Sequence, residues 1–374
     1  MFRSRFTMPL LLIALHIFVG VTLIPYLPID AVGQIIVVLF LVASCCLVPQ
    51  GFRSRRLHQP LLVWAGLLAM GIFSSLAVFS LVRVLVLLVI GLLLAEVPPA
   101  WLSGSAIIVV AVVVLITMIG LINARRVARV VSIDMPIRNL PDGLKDFTIV
   151  QISDIHVGPT IKYGYIQKIV ERVNGLSPDL IAITGDLVDG TVEQLSTHTA
   201  PLGQLKARYG TYVVTGNHEY YSGALAWIAE FKRIGLTVLL NEHVRIAHGK
   251  AELVLGGITD YSAGMYVPMH RSDPAAAIAG APPLTPKILL AHQPRSARAA
   301  EEAGFDAQLS GHTHGGQFWP WMHFVRLQQP WVAGMHQLGQ MNIYISRGTG
   351  YWGPPIRFGA PSEITRIRLV KAAE

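Results

Sequence analysis

The first third of the chain is dominated by long apolar runs. Met8 to Tyr26 and Ile35 to Val48 carry no charge, with Asp30 alone in the short connection between them. Each is near the length that crosses about 30 Å of hydrocarbon. The first run is long, lacks a clear small-x-small site after it and is followed at once by another run, so it is expected to be retained rather than cleaved. Leu61 to Val97 is about 37 residues, roughly 55 Å as a helix and nearly twice the bilayer core. Arg83 divides it into about 22 and 14 residues, and the second piece is short for a crossing. One long tilted helix, or a crossing with an interfacial continuation, is therefore predicted rather than a hairpin. Pro98-Pro99 breaks that helix, and Ala106 to Ile122 makes a final span. Four spans are expected, with five as the alternative.

From Phe147 the grammar changes to short apolar runs, each ending in polar residues. Phe147 to Ile152 ends in Ser153-Asp154-Ile155-His156, Asp179 to Thr184 in Gly185-Asp186, and Tyr212 to Thr215 in Gly216-Asn217-His218-Glu219. Ile288 to Ala291 ends in His292, and Ala307 to Leu309 runs into Gly311-His312-Thr313-His314-Gly315-Gly316. Near-continuous apolar strands are expected where both faces of a sheet are covered. Between them Ile166, Ile169, Val170 and Val173 recur at helical spacing, as do Ala224, Trp227, Ile228 and Phe231. Further strands are predicted over Ile343 to Ser346 and Ile364 to Leu369. Strands alternating with helices predict an α/β layered domain, in which ligands gather beyond the carboxyl ends of the strands. Every polar cluster falls at such an end.

Charge sharpens the division. Of 30 Lys+Arg and 22 Asp+Glu in 374 residues, eight lie in residues 1 to 122. A membrane domain over 1–124, a linker over 125–146 and a soluble domain over 147–374 are predicted. Arg3, Arg5, Arg53, Arg55, Arg56, Arg125, Arg126 and Arg129 flank the apolar runs, the pattern of anchoring charges rather than of a nucleic-acid groove. Four spans put all of them on one side, which the positive-inside rule makes cytoplasmic, in an inner membrane. Five would put the soluble domain outside. Arg83 and Asp30 have no intramembrane acidic or His partners, so Arg83 is expected to snorkel or mark a helix end and Asp30 to lie in a turn with Pro28. Adjacent Cys45 and Cys46 read as small apolar residues, and the soluble part has no cysteine, which excludes a thiol nucleophile and thiolate-bound metal there.

Collected, the strand ends supply Asp154, His156, Asp186, Asn217, His218, His292, His312 and His314. Oxygen and imidazole donors suit divalent Mn, Fe or Zn. One metal would be crowded by so many ligands, whereas two sharing a carboxylate would not, and such a pair is the usual device for hydrolysing phosphate esters. Asp154-x-His156 and His312-x-His314 each set two side chains on the same side of an extended strand end. Glycines 185, 216, 311, 315 and 316 allow tight turns beside them. Asp189, Asp260 and Arg347 also follow strands and are weaker candidates for orienting ligands or binding phosphate. His16, His58, His198, His243, His248, His270, His323 and His336 are expected to be structural or on the surface.

Asp154-x-His156, Gly185-Asp186, Gly216-Asn217-His218-Glu219, His292 and Gly311-His312-x-His314 resemble the five ordered blocks of the calcineurin-like metallophosphoesterases, over about residues 147 to 370. The likeness is to the membrane-attached bacterial branch and to transmembrane proteins with a metallophosphoesterase domain. Glu219 stands where many relatives have Asp. The resemblance implies a four-layer α/β/β/α sandwich and two metals, one held by Asp154, His156 and His314, the other by Asn217, His292 and His312, with Asp186 bridging. It implies attack by a metal-bridging hydroxide, with His218 protonating the leaving group or stabilising the transition state. The expected function is a membrane-tethered phosphoesterase acting on phosphodiester, phosphomonoester or pyrophosphate bonds, lipid-linked substrates among them. Phe318, Trp319, Trp321, Phe324 and Trp331 would line a lipophilic site, touch the bilayer or pack in the core. The alternative is a membrane sensor or scaffold whose domain binds without turnover.

Overall fold

Helices that are apolar all round have no solvent face. In the computed structural model, which describes residues 4–56, 59–94 and 96–372, four of them occupy the N-terminal part: α1 (Ser4–Leu23), α2 (Ala31–Arg56), α3 (Pro60–Leu94) and α4 (Pro99–Arg125). Arg3 and His58 lie outside the described residues. The chain divides into two compact units, Met1–Ile122 with Gly353–Ile356 and Asn123–Trp352 with Arg357–Glu374.

In the first unit, all four helices are long and apolar enough to cross a membrane, and the stretch split by Arg83 is one 35-residue helix. Leu10, Ile36, Leu88 and Ile108 point outward at 63%, 61%, 59% and 63% exposure. Such a surface is at home in hydrocarbon, not in water. Helices α2 and α3 cross where Gly51 meets Gly66: a Cβ on Gly66 would sit 2.6 Å from the Gly51 Cα and 2.5 Å from the Leu47 carbonyl oxygen, the close approach that small residues permit. Arg83 does not snorkel. It is buried, donating from Nη1 to the Thr22 carbonyl at 2.5 Å, from Nε to Ser105 Oγ at 2.8 Å and from Nη2 to the Leu102 carbonyl at 2.8 Å. The Thr22 carbonyl belongs to the last turn of α1, where no intrahelical donor remains and the helix dipole is negative, so a cation is stabilised there. Asp30 caps α2 by accepting the Gly33 N–H at 2.8 Å. Cys45 and Cys46 are unpaired.

The second unit contains β1 (Arg129–Ile137), β2 (Thr148–Ile152), α5 (Tyr163–Asn174), β3 (Leu180–Ile183), α6 (Val192–Thr199), β4 (Thr211–Val213), α7 (Asn217–Tyr221) and α8 (Ala224–Arg233). It continues through β5 (Thr237–Val238), β6 (Glu242–His248), β7 (Ala251–Gly257), α9 (Pro274–Ile278), β8 (Lys287–Leu290), α10 (Ala297–Ala303), β9 (Ala307–Ser310), β10 (Gly334–Leu338), β11 (Met341–Ile345) and β12 (Glu363–Lys371). The strands form two six-stranded sheets, ordered β1-β12-β2-β3-β4-β5 and β10-β11-β9-β8-β7-β6. Both are mixed: β2, β3, β4 and β5 run parallel, as do β7, β8, β9 and β11, with antiparallel neighbours at β12 and at both edges of the second sheet.

Three apolar clusters set the layers. Ile149, Leu180 and Ala182 of the first sheet meet Leu255, Ile288 and Leu309 of the second between the sheets. Val150, Ile181 and Ile183 face Ile166, Val170, Trp227 and Phe231 of the helices outside the first sheet. Leu289, Ile343 and Ile345 face Ala297 and Ala300 outside the second. This is the four-layer sandwich, and the strands are apolar on both faces because both faces are covered.

The segment 125–146, predicted as a linker, contains β1, paired in parallel with β12 along its whole length, from Arg129↔Glu363 to Ile137↔Lys371. Met135 and Ile137 are buried between the sheets. Each such side chain contributes about 1.5–3 kcal/mol. A fragment beginning at residue 140 is therefore expected to be less stable than one beginning at residue 124 by at least about 3 kcal/mol in urea unfolding. Equal midpoints would contradict the place of β1 in the core.

Candidate metal centre

The parallel strands of both sheets end at one place. Past β2 come Asp154 and His156, past β3 Asp186 and Asp189, past β4 Asn217 and His218 at the start of α7, past β8 His292, and past β9 His312 and His314. The chain must turn abruptly to aim these side chains inward. Asp154, His156, Asp186, His312 and His314 accordingly hold φ of 53°, 56°, 52°, 72° and 53°. Non-glycine residues seldom take this left-handed region, and strained backbone of this kind clusters at functional sites. Glycine is required where the turns touch: a Cβ on Gly216 would collide with the Asp186 carboxylate, and one on Gly311 with Asp154 and Ser153.

The eight residues singled out from the sequence are all brought together. His156 Nε2 lies 3.0 Å from His314 Nε2, and His314 Nε2 lies 3.5 Å from Asp154 Oδ1. In a second group His292 Nε2 is 3.1 Å from His312 Nδ1, 3.2 Å from Asn217 Oδ1 and 3.1 Å from Asp186 Oδ2. Asp186 Oδ2 is also 3.9 Å from His156 Nε2, so this one carboxylate oxygen stands between the groups. Imidazole nitrogens and carboxylate oxygens facing one another this closely repel unless cations or protons lie among them, and the donor set fits divalent ions with N/O preference. Asp154, His156 and His314 form one potential metal-binding set, and Asp186, His292 and His312 another.

Asp189, one of the weaker candidates, belongs to the site. Its Oδ1 accepts from His218 Nδ1 at 2.5 Å and from His156 Nδ1 at 3.3 Å. This fixes the tautomer of His218 and leaves its Nε2 as the remaining nitrogen, 3.9 Å from Asp186 Oδ2. Asp260 and Arg347 do other work. Asp260 is bound to Ser262 and Gln293, and Arg347 pairs with Glu363 at 2.9 Å. Of the aromatic stretch after the His pair, Phe318 is buried and Phe324 is exposed. The rings beside His218 are others, Tyr221 at 5.1 Å and Trp352 at 5.6 Å between centroids, both exposed.

Burial opposes the charge of Asp186, but His292, His218 and His156 around it overcome that and hold its carboxyl well below the usual range. For His218 burial likewise opposes the charge, and Asp186 and Asp189 more than offset it, raising its pKa to about 9. Glu219 is pushed up to about 7 by burial and by Asp186. Its carboxylate accepts three backbone N–H groups, from Gly216 at 2.7 Å, Asp186 at 2.9 Å and Leu187 at 2.7 Å, and so ties the turn after β4 to the turn after β3. The sequence marked Glu219 only as a variation. Arg357 carried no signal at all: it is fully buried, follows a Gly/Pro-rich stretch and donates from Nη2 to His314 Nδ1 at 3.0 Å.

Residues 147–316 match the family model described as calcineurin-like phosphoesterase. Among curated proteins, the transmembrane protein with metallophosphoesterase domain of Bos taurus is 38% identical over 298 residues, covering 73% of this chain and 67% of that protein. Its namesake in Danio rerio is 37% identical over 281 residues, covering 72% and 64%. An uncharacterized metallophosphoesterase of Campylobacter jejuni is 37% identical over 250 residues, covering 66% and 64%. The chain thus spans about two thirds of the length of these relatives.

The His218–Asp189 contact makes a pH prediction. A step that needs His218 protonated is fully available below its pKa and is lost as pH rises through about 9. Asp189→Asn removes a charge that holds this proton, so the alkaline limb of kcat is expected to move toward neutral pH. An unmoved limb would show that Asp189 does not act through His218.

Proposed function

Because the chain belongs to the calcineurin-like metallophosphoesterase family, we propose that it is a membrane-tethered, dinuclear metal-dependent phosphoesterase. The observation that carries this reading is Asp186 Oδ2 standing between the His156 side and the His292 side of the cluster. Asp154, His156 and His314 would hold one divalent ion and Asn217, His292 and His312 the other, with Asp186 shared. Bound there, a pair of Mn, Fe or Zn ions supplies an acidified water and neutralises charge on phosphoryl oxygens.

The chain's own residues supply the rest. With its pKa raised to about 9, His218 is an imidazolium at neutral pH; Nδ1–H stays on Asp189, and the second proton, on Nε2, is the one delivered to the leaving oxygen. Glu219 keeps Asn217 and Asp186 in register by binding the backbone of both turns. The exposed rings of Tyr221 and Trp352 flank the proton donor and favour a leaving group with apolar surface. A lipid-linked phosphodiester or pyrophosphate fits this, since a membrane anchor raises the encounter rate with lipids over soluble esters. Arg125 at the end of α4, with Arg126 and Arg129 just after it, supports a phosphoesterase domain on the cytoplasmic side of an inner membrane, the side that the positive-inside rule favours.

The test is hydrolysis by the full chain in lipid nanodiscs, with Mn added or chelated. Turnover of an aryl phosphodiester is expected with Mn and not with chelator. Asp186→Ala should abolish it, and His218→Ala should lower kcat by about 10²–10⁴ with metal content kept. A lipid phosphodiester should be cleaved faster than the soluble ester. Two bound metals without turnover of any ester would favour a sensor over an enzyme, and no preference for the lipid ester would remove the lipid substrate alone.

A further inference from the structure

The two halves of the metal cluster are not supported alike. His292 rests within the sandwich, its Nδ1 against the Thr184 carbonyl at 2.8 Å past the end of β3. Asp154 and His314 are held instead by a strap between β11 and β12, residues 347–352 together with Arg357. In this strap the Thr349 N–H donates to the Ser153 carbonyl at 2.7 Å, and the Gly350 N–H donates to the Asp154 carbonyl at 3.0 Å. A Cβ on Gly348 would lie 3.0 Å from the Asp154 Cβ and 3.3 Å from His314 Nδ1.

Arg357 closes the strap. It donates to the carbonyls of Gly350, Arg347 and His314, at 3.0, 2.8 and 2.8 Å, and to His314 Nδ1 at 3.0 Å. A guanidinium only donates, so His314 Nδ1 must accept. The other nitrogen, Nε2, is then the one turned toward Asp154 and His156. Arg357 thus sets the ring of His314 as outer partners of metal-binding histidines do.

Arg357 is in turn held from the last turn of α4. Asn123 Nδ2 donates to the Arg357 carbonyl at 3.2 Å. Next to it, the Tyr165 hydroxyl lies 2.9 Å from the Thr349 carbonyl and 3.3 Å from the Arg126 carbonyl, placing the residue after α4 beside the same strap. Ala124 and Ala128 are buried in one cluster with Tyr351 of the strap. Asn123–Arg125 therefore belong to the globular unit although they complete a membrane-spanning helix.

We infer that Asn123 and Arg357 are positioning residues that make one metal position, that of Asp154, His156 and His314, dependent on the end of the membrane helix α4. The position of Asn217, His292 and His312 is reached from the strap at one further remove, through the His312 N–H on the Asp154 carboxylate at 2.9 Å, and depends on it less. This rests on the dinuclear reading above. It goes further in making the two positions unequal: a displacement of the last turn of α4 reaches His314 through two side chains and weakens one ion of the pair.

The test is Mn(II) titration of the full chain in detergent micelles, followed by electron paramagnetic resonance, which separates free ion, isolated bound ion and spin-coupled pair. Asn123→Ala and Arg357→Lys are each expected to weaken one bound Mn by about 10–100-fold and the other by far less. Between the two midpoints the pair signal then gives way to an isolated-ion signal. Asn123→Gln, which keeps an amide donor, should recover part of the loss. Asn342→Ala removes an Asn-to-carbonyl bond of the same kind, to Pro136 at 2.7 Å away from the site, and controls for a general loss of stability. Wild-type affinity for both ions in Asn123→Ala and Arg357→Lys, or equal weakening of both ions, would overturn the inference. Failure of the wild-type chain to bind two ions would overturn the dinuclear reading with it.

Discussion

Everything at the cluster depends on how sharply the chain turns after each strand. Five of the donor residues sit in the left-handed region, at roughly 1–2 kcal/mol each. That cost is borne only because the turns are locked from outside. Glu219 gathers three backbone N–H groups from two turns, and Asp154 accepts the His312 N–H at 2.9 Å, which ties the turn after β2 in one sheet to the turn after β9 in the other. Gly216 and Gly311 let these turns approach to a distance that any side chain would forbid. The cluster is thus a junction between the sheets, and the two-layer core beneath it holds the junction rigid.

Much of this was legible in the sequence, for a definite reason. Central parallel strands are apolar on both faces, so their ends are sharp changes from apolar to polar, and all eight site residues lie just past such a change. Edge elements lack that contrast. In β1 the inward residues Ile133, Met135 and Ile137 alternate with Ser132, Asp134 and Pro136, and an edge strand tolerates its proline. Coming directly after a membrane helix, the alternation read as a linker. The β6–β7 hairpin, with Gly249 at φ 62° in its two-residue turn, carries a local turn signal of the glycine-first kind.

Side-chain roles were less legible than positions. Asp189, Asp260 and Arg347 all follow strands, yet only Asp189 lies on the same turn as Asp186, three residues on, and reaches two histidines. Arg83 read as a charge seeking the membrane surface, whereas the carbonyls at the end of α1 and the start of α4 satisfy it inside. Arg357 is invisible to pattern because its function comes from contacts made across the fold. A buried guanidinium surrounded by carbonyls can be found only once those carbonyls are placed, and this residue joins the strap to His314.

Whether two ions share Asp186 at the meeting of the sheets can be read from anomalous diffraction by crystals of the Mn-loaded full chain. Two peaks about 3.5–4 Å apart are predicted on either side of Asp186, one beside Asp154, His156 and His314 and the other beside Asn217, His292 and His312. A single peak, or a pair that does not share Asp186, would contradict the claim.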